Sequence, residues 1–356
     1  MSKKRLTLAA VVATVMLLSG CASTATTAST TLNIASGSPA TELKLGYFAN
    51  VTHAPALVGL QEGILQSDLG STKLSTAVFN AGPAAIEALT SGAIDAAYLG
   101  PNPAINTFIQ SGGASARIVS GVTTGGAALV VRSGITSAAD LKGKTLATPQ
   151  LGNTQDVALR SWLSSQGLST STTGGGDVTI TPTDNAQTLQ LFQAGQIDGA
   201  WLPEPWVSRL VNDAGAQVLV DEASLWPDGA FPTTVLLVNA DYLQQHPQTV
   251  EALIKGNADS IAWINGHSDQ AASVINTQLK ADTGKQLSTA VITRALQHVS
   301  FSVDPRASAF QKLYDNGVTA GTQKTGSING LFDLRLLNTV IASSGKTVSA
   351  GDLGVQ

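Results

Sequence analysis

Beyond its first forty or so positions the chain alternates two hydrophobic rhythms. "LKLGYF" (Leu43–Phe48) alternates with the period of a strand, and "APALVGLQEGIL" (Ala54–Leu65) carries the wider spacing of a helix. "KLSTAVF" (Lys73–Phe79) is a second strand. "AGPAAIEALTSG" (Ala81–Gly92) is a second helix, with Pro83 in its first turn and Gly92 just past its end. "IDAAYLG" then reads as a strand, "PAINTFIQSGG" as a helix, and "ARIVSGV" and "AALVVRS" as strands. The pattern restarts with "SAADLKGKTLATPQ" (Ser137–Gln150), a short helix and a strand. The helix "TQDVALRSWLSSQGL" follows, with Val157, Leu159, Trp162, Leu163 and Leu168 mostly on one side. "DVTITPT", "IDGAWLP", "AQVLVD" and "TTVLLVN" are strands, with helices over "NAQTLQLFQAGQ" and from about Glu204 through "VSRLVNDAG". From Pro247 to about Ser344 the spacing is mainly helical. Strands and helices joined this briefly imply parallel-rich sheets covered by helices on both faces.

One phrase occurs twice. "GAIDAAYLGPNP" begins at Gly92 and "GQIDGAWLPEP" at Gly195, each behind an amphipathic helix. Aligned on those glycines, Ile94 matches Ile197, Asp95 matches Asp198, and Tyr98 matches Trp201. Either an ordinary helix-to-strand join recurs by chance, or the chain holds two similar α/β lobes. The second reading is preferred, because both copies discharge into a proline-containing loop at the carboxyl end of a strand, where ligands of such sheets sit.

Length agrees with two lobes, since 356 residues exceed what one core usually holds. The ends change the picture further. Lys3, Lys4 and Arg5 precede an apolar run from Leu6 to Leu18 and then "LSGC", a secretory signal too short to span a membrane. Residues 1–20 are therefore read as a signal peptide. Cys21 is the sole cysteine; it is expected to carry lipid, unless the signal is a plain one cut nearby. Residues 21–42 are rich in Ser, Thr and Ala and read as a flexible tether. Formal net charge is −4, or −7 without the signal's three basic residues, and no basic stripe interleaves aromatics. Nucleic acid is not an expected partner on that balance.

Catalytic and metal patterns are poor. The four histidines (His53, His246, His267, His298) lie far apart without ligand spacing, and no G-x-S-x-G occurs. "LKGKT" lacks the first glycine of a phosphate loop, with Ala138 in its place. No catalytic residue, metal or cofactor is assigned. Anion recognition has more to work with. "QLGNTQD" (Gln150–Asp156) sets Asn153 and Thr154 at the mouth of a helix, where free N–H groups and the backbone dipole favour negative charge. A simple cap by Asn153 or Thr154 is the alternative. "GPNPA" offers a second mouth with Asn102, and "THAP" a third with His53. In "WLPEPW", Glu204 is read as an amine acceptor, a lobe lock or a solvent-facing charge, and Trp201 and Trp206 as core or as cover for an apolar tail.

Taken together, the "LSGC" box, "LGYFANVTHAPALVGLQEGIL", "FNAGPAAIEALTSGAIDAAYLGPNPAI", "DLKGKTLATPQLGNTQDVALRSWL", "AGQIDGAWLPEPW" and "NADYLQQHP" resemble the substrate-binding lipoproteins of ABC importers for aliphatic sulfonates, taurine and nitrate. The resemblance implies a two-lobed type 2 periplasmic-binding-protein fold hinged by two crossing strands. Lobe 1 is then expected at 43–131 and 233–345, lobe 2 at 132–232 with crossings near Arg132 and Thr233, and a tail at 346–356. It also implies a cleft holding a small anion, with His53, Asn80, Asn102, Asn153, Thr154 and Glu204 as contacts, and Thr124, Gln155 and Trp206 beside them. The implied protein is a monomer, lipid-anchored outside the membrane, that works with a permease and an ATPase. Nitrate, bicarbonate and a thiamine pyrimidine precursor remain alternative ligands. A pyrimidine-synthase-like enzyme of the same fold would need a cysteine-rich iron site that one cysteine does not supply.

Overall fold

A computed structural model of the protein describes residues 38–355. The expected signal peptide, Cys21 and the tether up to residue 37 lie outside the described residues. Among those described, no helix is long and apolar enough to cross a membrane.

The first α/β units follow the sequence rhythm. Strand β1 (Glu42–Phe48) leads through a tight turn at Val51–His53 into α1 (Ala54–Gln61). The single helix expected over Ala54–Leu65 is broken at Gly63, whose φ of 70° no helix accommodates, and α2 (Ile64–Leu69) starts afresh. Next come β2 (Lys73–Phe79), α3 (Gly82–Thr90), β3 (Ala96–Leu99), α4 (Pro101–Gln110) and the long β4 (Ala116–Gly125). The second run comprises β5 (Ala127–Val131), β6 (Thr145–Thr148), α5 (Thr154–Ser165), β7 (Thr179–Pro182), α6 (Asn185–Gln193), β8 (Gly199–Pro203), α7 (Trp206–Ala214) and β9 (Gln217–Asp221). The chain then returns through β10 (Pro232–Asn239) to α8 (Ala240–Gln245), α9 (Pro247–Gly266), α10 (Ser268–Thr283), α11 (Thr289–Gln297), β11 (Val299–Phe301), α12 (Phe310–Thr319), β12 (Phe332–Asp333), α13 (Arg335–Ile341) and β13 (Gly354–Val355).

Two sheets result, each flanked by helices, in the arrangement of a two-lobed type 2 periplasmic-binding-protein fold. The first runs β13-β12-β4-β10-β3-β1-β2 with β11 on β4, and the second β7-β6-β8-β5-β9. Both are mixed rather than purely parallel. β1 pairs parallel with β2 and β3, while β10 is antiparallel to β3 and β4. In the second sheet β6 is parallel to β7 and β8, and β5 antiparallel to β8 and β9.

The chain leaves the first sheet at Gly125 and Gly126, ahead of the Arg132 expected from sequence. Both glycines have positive φ (77° and 75°), and a Cβ on Gly125 would sit 2.7 Å from the His298 carbonyl oxygen. Thus β5 belongs to the second sheet. Its Ala128 and Val130 enter the core on one face, and Leu129 and Val131 that on the other. The return passes between β9 and β10, ahead of Thr233, which already lies in β10. The Thr233 hydroxyl donates to the Gly125 carbonyl, tying one crossing to the other. The tail expected beyond 345 re-enters the first sheet, where β13 pairs with β12.

The doubled phrase has a structural counterpart. α3 and α6 both end near a glycine of positive φ, Gly92 (74°) and Gly195 (78°), and both lead into a strand. Asp95 Oδ2 accepts from the Lys44 N–H at the start of β1 at 2.8 Å. Asp198 Oδ2 accepts from the Thr145 N–H at the start of β6 at 2.9 Å. The repeated aspartate therefore performs one task in each sheet: it fastens the neighbouring parallel strand. Tyr98 and Trp201, the matched aromatics, are both fully buried.

Candidate ligand-binding cleft

The loops that follow β1, β2, β3, β6, β7 and β8 converge at the carboxyl ends of those strands, beside the start of β10. There they enclose an inner cavity of about 20 Å³, lined by Asn50, Thr52, His53, Asn80, Gly100, Asn153, Gln155, Asn185 and Thr233, with Phe48, Pro149 and Pro203. That is space for roughly one water molecule. A larger cavity of about 520 Å³ adjoins it, sharing Asn50, Asn80 and Asn185 and adding Phe79, Leu189, Trp206, Arg209, Leu279 and Leu287 among others.

Three helix mouths meet behind the inner cavity. The Gly82 N–H at the start of α3 donates to Asn153 Oδ1 at 3.3 Å, and the Asn102 N–H in the first turn of α4 donates to Thr154 Oγ1 at 3.4 Å. The first turn of a helix has N–H groups without intrahelical partners; here oxygen atoms from the opposite lobe satisfy two of them. Asn153 occupies the cap position of α5 but makes no capping bond to it, since its Oδ1 is spent on Gly82 and its Nδ2 donates to Gln155 Oε1 at 3.0 Å. The approach is close: a Cβ on Gly82 would stand 3.0 Å from Asn153 Oδ1. The loop before α5 is held from beneath. Buried Asp156 accepts from the Gly152 N–H at 2.9 Å and the Thr148 hydroxyl at 2.8 Å, and pairs with buried Arg160 at 3.0 Å.

The inner cavity's polarity comes from amides, not formal charge. His53 is 2% exposed, its ring is stacked 4.4 Å from Phe48, and its Nδ1 accepts from the Phe48 N–H at 3.3 Å. Burial pushes its pKa down to about 3, so the ring is neutral, with its proton on Nε2. Neither lysine nor arginine is among the residues lining this cavity. Cations first appear in the larger cavity, where Arg209 lies 4.7 Å over the Trp206 ring and pairs with Asp213 at 3.6 Å. Trp206 is fixed across the lobes, its Nε1–H donating to Asn50 Oδ1 at 2.8 Å.

Of the residues singled out from sequence, His53, Asn80, Asn153 and Gln155 line the inner cavity, and Trp206 the outer one. Thr154 and Asn102 line neither cavity: the Thr154 hydroxyl oxygen accepts from the Asn102 N–H, and the Asn102 side chain donates to the Leu313 carbonyl at 3.0 Å. Two others lie elsewhere. The Thr124 hydroxyl faces the Ser300 carbonyl at 3.5 Å, because β4 pairs there with β11. Glu204 is 1% exposed, so it is no solvent-facing charge. Its oxygens accept from the Ser208 N–H at 3.0 Å and from Arg294 at 2.9 Å. Trp201 is core, donating to buried Glu222 at 2.8 Å. Asn50 and Asn185 were missed from sequence. Both lie within three residues of a strand's carboxyl end, in loops like "QLGNTQD", and that position was their signal.

No nucleophile–base pair is assembled here, and among the described residues no group of three or more His, Cys, Asp or Glu could hold a metal.

Comparisons with known proteins agree with this architecture. The alkanesulfonate-binding protein SsuA from Xanthomonas axonopodis, solved with MOPS bound, superposes with a TM-score of 0.68 at 24% identity, over 81% of this chain and 96% of that one. The periplasmic nitrate-binding protein NrtA from Synechocystis gives 0.71 at 17% identity, over 88% and 91%. Similarity at that level speaks to the fold. In sequence, a Brucella abortus protein whose name gives binding but no ligand is 26% identical over 216 residues, and the taurine-binding periplasmic protein of Escherichia coli is 26% identical over 209. Each match covers 58% of this chain and 62% of the relative's own length. The sequence pattern of the NMT1-like family matches residues 36–279, most of the folded body. On that span the chain belongs to the NMT1-like family.

Proposed function

We propose that this protein is the solute-binding component of an ABC importer, capturing a small organic acid between its lobes and passing it to a membrane permease driven by a separate ATPase. The preferred ligand class is an aliphatic sulfonate or taurine. The observation that carries the reading is the meeting of α3, α4 and α5 mouths, where side-chain oxygens of Asn153 and Thr154 already rest on the N–H groups of Gly82 and Asn102. An oxyanion brings the same oxygens with more charge. Binding rather than chemistry fits a neutral, buried His53 with no nucleophile beside it. His53, Asn80, Asn153, Thr154 and Gln155 are the contacts proposed, with Trp206 along the ligand's outer side.

The rest of the reading comes from the sequence: export, lipid attachment at Cys21, and a monomeric body on the extracytoplasmic face. The relatives named for taurine, alkanesulfonate and nitrate lend it support. Closure favours the bound form only as far as the ligand prefers closed lobes to open ones. Calorimetric titration with taurine, alkanesulfonates, nitrate, sulfate and bicarbonate tests it. At least one is expected to bind below about 100 μM, equivalent to about −5.5 kcal/mol; no binding by any of them would remove the assignment. Mass spectrometry of a co-purified small molecule would name the ligand directly.

A further inference from the structure

We infer that Asn185 selects ligands by requiring a hydrogen-bond donor from them, so that the preferred acid also bears an ammonium, amide or hydroxyl group. This rests on the solute-binding reading and narrows it. Asn185 opens α6 three residues after the end of β7, is 5% exposed, and lines both the inner and the outer cavity. Its Oδ1 is buried without a hydrogen-bond partner. Buried acceptors are costly when unpaired, and a group entering the cavity with an N–H or O–H recovers that cost. A bare oxyanion such as nitrate brings only acceptors, so it meets Oδ1 with like partial charge.

The outer cavity holds charges of both signs, with Arg209 paired to Asp213 and Lys285 also in its wall, and the one adjoining Asn185 in the chain is negative. Asp184, the neighbouring residue, stands in the wall of the outer cavity with Oδ1 accepting from the Ala186 N–H. A carboxylate beside an orphan acceptor favours a positively charged donor over a second anion. The acid end of the ligand then belongs with the helix mouths at Gly82, Asn102 and Asn153, and the donor end with Asn185.

Taurine and ethanesulfonate differ by one ammonium group and make the test. Wild type is expected to bind taurine at least tenfold more tightly by calorimetry. Asn185→Leu should erase the difference, and Asn185→Asp should keep or widen it. Should the leucine variant fail to fold by circular dichroism, the aspartate variant carries the test, and loss of the preference there overturns the assignment. Equal wild-type affinity for the pair, or a preference surviving in Asn185→Leu, also overturns it while leaving the solute-binding reading intact. Failure of both sulfonates to bind overturns it together with the sulfonate reading.

Discussion

Arg294 on α11 donates to Glu204 Oε1 at 2.9 Å and to the Ser208 hydroxyl at 2.9 Å, joining the C-terminal helices to the loop between β8 and α7. Glu204 is 1% exposed and Arg294 20%. Burial raises the carboxyl's pKa, while the Ser208 amide and Arg294 pull it back down. Removing one partner of such a pair leaves the other buried and uncompensated. Arg294→Ala should therefore destabilise the fold by about 3 kcal/mol, read as a lower urea midpoint at unchanged slope. Because both Glu204 oxygens are engaged within the protein, Glu204→Gln should weaken all ligands alike. A loss confined to amine-bearing ligands would restore Glu204 as an amine acceptor.

Glu222 lies in the returning crossover, fully buried, accepting from Trp201 Nε1–H. Burial pushes its pKa up from 4.5 to about 7, against the pull of the Trp201 and Trp226 indoles. The folded state thus holds its proton more tightly than the unfolded chain does. The sign follows: stability from this group is full below about pH 4.5 and is lost as pH rises through 7, in total roughly 3 kcal/mol. Glu222→Gln keeps an acceptor for Trp201 and should flatten that loss. Thermal melts at pH 5 and pH 8 are the check. A wild type equally stable at both, with the variant unchanged, would refute it.

His53 is neutral well below physiological pH, so its titration should leave no mark on ligand affinity between pH 5 and 8. Affinity measured across that range with a strong-acid ligand, such as a sulfonate, is expected to be flat. A drop centred near pH 6.5 that disappears in His53→Gln would mean the imidazole titrates normally and faces water.

Asn153 and Thr154 bridge the lobes, accepting from the Gly82 and Asn102 N–H groups. Asn153→Ala removes the acceptor for Gly82 N–H and the donor to Gln155, so the lobes should open. Small-angle scattering should show a larger radius of gyration, and ligand affinity should fall several-fold, with the melting temperature changed by only a few degrees. An unchanged radius together with unchanged affinity would take α5's mouth out of the site.

Local order was largely legible, the break of the expected Ala54–Leu65 helix at Gly63 apart. The strand and helix rhythms, the glycines that end α3 and α6, and the doubled "ID" phrase all depend on neighbours within a few positions, and sequence spacing reports those neighbours directly. The same logic singled out His53 and Asn153 at loops that follow strands, because the carboxyl ends of strands gather in any α/β sheet, while Asn80 and Gln155, which line the same cavity, came only from the family resemblance. It also missed Asn50 and Asn185, whose flanking strands were seen but whose loops drew no attention.

What the sequence by itself determined was the alternation of elements, the doubling of a unit and the end of the sheet where a site forms, since each follows from backbone periodicity and chain direction. Tertiary structure alone decided that the chain crosses at Gly125 and Gly126 ahead of β5, that Thr124 turns to Ser300, that Arg294 neutralises Glu204, and that Asn153 reaches Gly82 rather than capping its own helix. Those choices pit a local partner against a distant one. The winner is set by which groups burial leaves unpaired, and no spacing along the chain encodes that.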